Sequence, residues 1–571
     1  MTPPDTQPSP RIEDYRALLQ QGRFDDALDQ MRAELPSYPD HPYLNKLIGV
    51  AYLLSGRPGD SIAYFEKCTT LDATNAEARF DLAAAFEADG KLNRAAEALR
   101  DAIRIDNDYA DAHNNLGLVL GKQGQLTEAA GHLRRAAAIK PDSAVFHSNF
   151  ATLLKRQGAQ AEAAEHFEEA IRLDPAFAQA YGNYGDMLQF QNRLEDVRAL
   201  LDRAAPYCDP DDPGLLDLRA HLAADEKDFQ TAAACLEKAL EKDAAEDLKH
   251  RRFSLLGKAK DRLGDYDGAF RSFADANRYS AKLAARRNIE AARYADHVDA
   301  LIAHMGKKSP AVSASAAVGE RESPVFLVGF PRSGTTLLDT ILRSHPDISV
   351  MEEEPFVTDI RQSAGLIAPS SMVHNFSDAE RADLQNSYVG KVERKFGKRS
   401  SPILVDKFPL NLVEAGFIRS VFPDAKFILA LRHPNDCVLS CFMQSFDLND
   451  AMANFLDIGD AARLYDRSMT LWELYCDRLA IDCHAIKYED VVADMRRAVE
   501  PLLGYLGLAW DDNVENYRQT ALDRGHINTP SYNQVTQPMY SHAKGRWQRY
   551  EEQMRAVDGL LRPWIEKWGY D

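Results

Sequence analysis

The sequence predicts two architectures in one chain: an all-α solenoid of stacked helical hairpins, then an α/β domain with a mostly parallel sheet. Three observations carry this prediction. A Gly or Asn recurs every 34 residues through the first half. The period is lost after residue 283. Beyond it, short β-branched or aromatic runs alternate with helical stretches, the pattern of strand–helix units.

The recurring residues are Gly22, Gly56, Gly90, Gly124, Gly158 and Asn192, with looser copies at Lys227 and Gly264. Each marks the end of a first helix, where a left-handed residue is needed. Five residues later stands a small side chain (Ala27, Ser61, Ala95, Ala129, Ala163, then Val197, Ala232 and Ala269) that lets the second helix approach its neighbour. Pro39, Pro141 and Pro175 recur 17 residues after the turn and are expected to open the next helix. One hairpin cannot bury its own apolar face, so the units stack. The pattern resembles the tetratricopeptide repeat, about eight copies over residues 12–283. The resemblance implies a groove for an acceptor substrate or partner protein. A spacer or dimerisation arm is the alternative use of such an array.

Residues 284–322 read as a helix to residue 305, then a small polar linker. The α/β domain follows over residues 323–571. Its first strand, Pro324 to Phe330, runs into Pro331-Arg332-Ser333-Gly334-Thr335-Thr336 and a helix. Strand, small-residue loop and helix N-terminus make a P-loop-like phosphate cradle. The Gly-Lys-Ser/Thr of a Walker loop is missing, and the cation is Arg332, which disfavours a nucleotide kinase. Four segments follow in order: Asp406-Lys407-Phe408-Pro409; Arg432 after a strand with Ser440 eight residues on; Tyr488-Glu489-Asp490; and Ser531 to Trp547.

The loop resembles the 5′-phosphosulfate loop of sulfotransferases that use PAPS (3′-phosphoadenosine 5′-phosphosulfate). The stretch GFPRSGTTLLDTILRSHPDISVMEEEP is similar to that of tyrosylprotein sulfotransferases, and the resemblance extends over residues 323–550. It implies that Arg332 and the amides of Ser333, Gly334, Thr335 and Thr336 hold the phosphosulfate. It implies that Lys407 and Ser531 stabilise charge on the departing PAP (the 3′,5′-bisphosphate) and that Arg432 and Ser440 bind its 3′-phosphate. Tyr488 is then placed near adenine, and Arg546 stands where the family carries a lysine near the cofactor. Glu353 lies 21 residues after Arg332 and matches the catalytic glutamate. Alternation at a strand end is expected to turn Glu352 and Glu354 elsewhere. Glu354-Pro355 replace family arginines that receive acidic peptides, and Met351 and Asp406 replace family cysteines.

Composition narrows the function further. Of 571 residues, 45% are hydrophobic and 27% charged, as in a soluble globular protein. A net charge of −19 argues against broad nucleic-acid binding. No apolar run approaches the roughly 18 residues that span a bilayer, and MTPPDTQPSP lacks the features of a secretory signal. Seven scattered cysteines form no disulfide framework and fit a reducing cytosol, although Cys476 and Cys483 lie near a family cysteine pair. No metal is expected. The expectation is a cytoplasmic PAPS-dependent sulfotransferase acting on a hydroxyl or amine. The alternative is a catalytically inactive repeat-containing adaptor.

Overall fold

A computed structural model describes residues 11–242, 246–307, 323–397, 401–523 and 544–570. The chain divides into two compact units, Met1–Asp243 and Ala244–Asp571.

The first unit is built of helical hairpins, for example Ala76–Ala88 with Leu92–Ile105 and Ala110–Lys122 with Leu126–Ile139. Every turn residue anticipated from the 34-residue period has positive φ, from 58° at Asn192 to 80° at Gly124 and Gly158 within this unit, and Lys227 adopts 65°. A Cβ at Gly22, Gly56, Gly90, Gly124 or Gly158 would meet nothing within 4 Å, so backbone handedness and not crowding selects glycine there. The small residues five positions on, Ala27 to Ala232, are completely buried. Pro39, Pro141 and Pro175 do not open helices as expected. They sit in the connecting turns, before helices that begin at Pro42, Ala144 and Ala178. There a proline ring meets no preceding helical carbonyl, and its own carbonyl is used: Pro39 accepts from Asn45 Nδ2 at 3.1 Å.

The second unit opens with α1 (Glu246–Leu263), α2 (Tyr266–Arg286) and α3 (Ala291–Gly306). The pair α1 and α2, read in sequence with the repeats, packs here instead. Phe273 of α2 and Val298, Leu301 and Met305 of α3 share one apolar cluster with the sheet. Phe270 stacks on Phe442 at 4.8 Å, and buried Asn277 donates to the Phe442 carbonyl at 2.9 Å. The stretch expected as one helix from 284 is broken where Asn288 takes φ 56°.

Five parallel strands follow: β1 (Val325–Gly329), β2 (Ile348–Glu352), β3 (Ile403–Lys407), β4 (Lys426–Leu431) and β5 (Asp482–Lys487). Their order is β2-β3-β1-β4-β5. Register pairs Leu327 and Glu352 with Lys407, Gly329 with Ala430, and Leu431 with Lys487, so all five carboxyl ends finish along one edge. β1 is buried on both faces: Phe326 and Val328 point into the cluster shared with α2 and α3, while Val325 and Leu327 point into a second with Leu338, Val405 and Ile428. Burial on both sides explains why these strands read as continuous apolar runs. Filling each such position is worth about 1.5–3 kcal/mol.

Candidate active site

Each strand delivers an anticipated residue at its carboxyl end: Arg332 after β1, Glu353 after β2, Lys407 closing β3, Arg432 after β4 and Tyr488 after β5. In parallel α/β sheets, that edge is where loops and helix N-termini meet ligands.

The loop after β1 leads into α4 (Thr335–Arg343). Arg332 and Gly334 both take positive φ, 71° and 96°. A Cβ on Gly334 would lie 2.7 Å from Cδ2 of Tyr488, so the close approach of loop and ring requires glycine. The first N–H groups of α4 have no intrahelical acceptors and face outward from the helix start. The Ser333 amide, grouped in sequence with the phosphosulfate cradle, is spent on the Phe330 carbonyl at 3.1 Å. Its Oγ is buried with no hydrogen-bond partner among the described residues.

Two arginines organise the centre. Arg432 donates to the Arg332 carbonyl at 3.1 Å, and its guanidinium lies 5.0 Å over the Tyr488 ring. Arg332 Nε in turn donates to Ser440 Oγ at 3.1 Å. Arg332 thus joins Arg432 to Ser440, which lies on α5 (Pro434–Phe442). Burial depresses the Arg332 pKa, and the charges of Arg432 and Arg546 add to that direction. Burial is the largest single influence on Arg432 and opposes its charge, but Asp436, Cys437, Tyr488 and Glu489 together outweigh it and its pKa is raised. Asp436, one turn from Arg432, was not anticipated. It accepts the amides of Gly545 and Trp547 at 2.8 and 2.9 Å, tying the Arg546 turn to the site. Only its i+4 spacing from Arg432 hinted at this. His433 stacks on Trp547 at 4.9 Å, and burial holds its pKa down at about 4.

Lys407 and the glutamates form the third group. The Lys407 side chain is fully buried, and Nζ lies 2.7 Å from Glu353 Oε1 and 3.2 Å from Glu352 Oε1. Two adjacent glutamates were expected to diverge. They converge on one ammonium because Glu353 leaves the strand with φ 51° and breaks the alternation. Glu354 does turn away, to Lys395 at 2.6 Å. Glu353 remains 38% exposed, so its carboxylate is open to a ligand while its partner is not. Behind them, Tyr388 donates to Asp406 at 2.7 Å, and burial pushes the Asp406 pKa up to about 7.

Ser531 lies outside the described residues, as do Gln534, Val535 and Pro538. All seven cysteines are free thiols, and burial pushes Cys476 and Cys483 up to about 12. Among the described residues, no group of three or more His, Cys, Asp or Glu could hold a metal ion, and no helix is long and apolar enough to cross a membrane.

A profile described as the sulfotransferase family matches residues 324–512. Tetratricopeptide profiles match residues 16–76, 88–124, 110–140 and 149–213. Over 258 residues the chain is 25% identical to an uncharacterized protein of Aquifex aeolicus (strain VF5), covering 43% of this chain and 33% of that protein. It is 24% identical over 258 residues to protein-tyrosine sulfotransferase 1 of Danio rerio, covering 43% of this chain and 72% of that one. It is 26% identical over 289 residues to protein-tyrosine sulfotransferase A of Caenorhabditis elegans, covering 44% and 68%. The chain thus spans only a third of the Aquifex protein's length. The parallel sheet, with its glycine-bearing loop and the basic side chains at its strand ends, is a domain of the sulfotransferase family, and it follows an array of tetratricopeptide repeats.

Proposed function

We propose that the second unit transfers a sulfuryl group from PAPS to a hydroxyl or amine acceptor and releases PAP, while the repeats recruit the acceptor or a partner protein. The observation that carries this reading is the delivery of Arg332, Glu353, Lys407, Arg432 and Tyr488 from five successive strand ends. The site also fits the donor: Gly334 lets the loop approach the Tyr488 ring closely, and the buried Ser333 hydroxyl has an unused donor.

The chemistry asked of the protein is placement and charge stabilisation. Glu353 takes the acceptor proton as the bond from acceptor to sulfur forms. The bond from sulfur to the bridging oxygen breaks, and its electron pair stays on the 5′-phosphate of PAP. Lys407, with Ser531, neutralises that oxygen. Arg332 and the start of α4 hold the 5′ end, and Arg432 with Ser440 holds the 3′-phosphate.

The relatives named as protein-tyrosine sulfotransferases raise tyrosine in a peptide as an acceptor. Glu352 and Glu354 flank Glu353, and Glu354-Pro355 stand where arginines would receive acidic peptides. An acidic peptide is therefore disfavoured, and a neutral or basic acceptor fits better. The test is incubation of the full chain with labelled PAPS and a cell lysate, scoring the fraction that gains label. Thermal shift with PAP accompanies it. A chain that is neither stabilised by PAP nor able to transfer label acts as an adaptor instead.

A further inference from the structure

Helix α1 faces the strand-end site through one stripe. Ser254, Lys258 and Asp261 recur at intervals of four and three residues and so share a face. Ser254 Oγ lies 3.1 Å from Ser445 Oγ, just beyond α5. Asp261 pairs with Arg546 at 2.9 Å and accepts the Tyr550 hydroxyl at 2.5 Å. Lys258 lies between these two anchors on the same face and is solvent-exposed.

No carboxylate pairs with Lys258 among the described residues, and the charged groups that act on it are Arg332 and Arg546. The carboxylates nearby are already engaged: Asp261 with Arg546 and Tyr550, Asp436 with the amides of Gly545 and Trp547, and Glu489 with the His433 amide and Tyr570 hydroxyl. A cation left beside two guanidiniums is unfavourable unless an anion enters between them.

We infer that Lys258 is a ligand-binding residue of the site, supplied by a helix that precedes the sheet, and that it binds a phosphate monoester, the donor's 3′-phosphate, on the Ser440 side of the site. The assignment rests on the donor reading above. It favours the 3′ end because the Ser254–Ser445 contact places α1 against the end of α5, the helix that carries Ser440. Crowding by protein and the two guanidiniums lower the Lys258 pKa, a direction that a bound dianion would reverse.

The experiment measures binding of PAP and of adenosine 5′-phosphate, which lacks only the 3′-phosphate, to the full chain and to Lys258→Met and Lys258→Arg. Expected is a loss of roughly tenfold in PAP affinity for Lys258→Met, less than about twofold change for adenosine 5′-phosphate, and near-complete recovery in Lys258→Arg. Unchanged PAP affinity in Lys258→Met, or equal loss for both nucleotides, overturns the assignment and leaves the donor reading standing. A wild-type chain that binds neither nucleotide overturns the donor reading itself.

Discussion

Lys407 and Glu353 are tied together twice. The Glu353 amide donates to the Lys407 carbonyl at 2.7 Å, and the Lys407 ammonium lies 2.7 Å from Glu353 Oε1. The first bond fixes the backbone of the proposed base in a left-handed conformation that a glutamate rarely adopts. The second sets its carboxylate beside the cation proposed to meet the leaving oxygen.

That pairing separates chemistry from binding. Glu353→Gln is expected to lower sulfuryl transfer by at least about a hundredfold while PAP affinity holds. Arg332→Ala is expected to lose both. Labelled transfer and PAP titration read the two quantities, and a matching loss of PAP affinity in both variants would remove Glu353 from the role of base.

Gly334→Ala tests the cradle. The new Cβ would stand 2.7 Å from Tyr488 Cδ2 at a backbone φ of 96°. Strain of about 1–2 kcal/mol and a displaced Tyr488 follow. Because Arg432 lies over that ring, PAP binding should weaken together with thermal stability. A variant with wild-type melting and wild-type affinity would show that loop and ring are not in contact.

Asp406 should give the second unit a distinctive pH response. Burial raises its folded pKa from 3.8 to about 7. The folded state therefore binds the proton more tightly, and stability from this group is present below 3.8 and lost as pH rises through 7. Asp406→Asn keeps an acceptor for Tyr388 without ionising. It should stabilise the unit by about 1–2 kcal/mol at pH 8, with the advantage shrinking as pH is lowered. Denaturant titrations at several pH values would expose the opposite trend.

Arg361 and Glu414 form a buried two-point pair at 2.9 and 3.1 Å. Glu414→Ala leaves a guanidinium enclosed without its counterion and should cost about 3–5 kcal/mol. Arg361→Met combined with Glu414→Leu should recover most of that loss. Equal destabilisation of the single and double variants would argue against a desolvated pair.

In the repeat unit, His113 faces His132 with Nδ1 atoms 3.0 Å apart, and His147 faces His166 at 2.8 Å. Burial lowers the pKa of His113, His132 and His166 below 6.5. Their neutral forms favour folding, so the contribution is present above pH 6.5 and lost as acid titrates them. Melting of the repeats should fall between pH 7 and pH 5, and His132→Gln with His166→Gln should flatten that fall.

Local rules were legible in the residues. Gly22 through Gly264 announce a left-handed backbone, because only residues with little side-chain conflict adopt it readily. Ala27 through Ala269 announce tight helix contact, and alternating apolar runs announce a sheet buried on both faces. Arg332, Lys407, Arg432 and Tyr488 could be placed near strand ends because each lies within two residues of an apolar run, whereas Glu353 was placed by its spacing of 21 residues from Arg332. Tertiary packing decided the rest: that Glu352 joins Glu353 on Lys407, that α2 packs with the sheet while Asp261 of α1 pairs with Arg546, and that Asp436 anchors the Arg546 turn. These pairings join residues 50 to nearly 300 positions apart. Handedness and periodicity act within a few residues of their origin, whereas such partners are chosen by the strand order β2-β3-β1-β4-β5 and by which helices cover it.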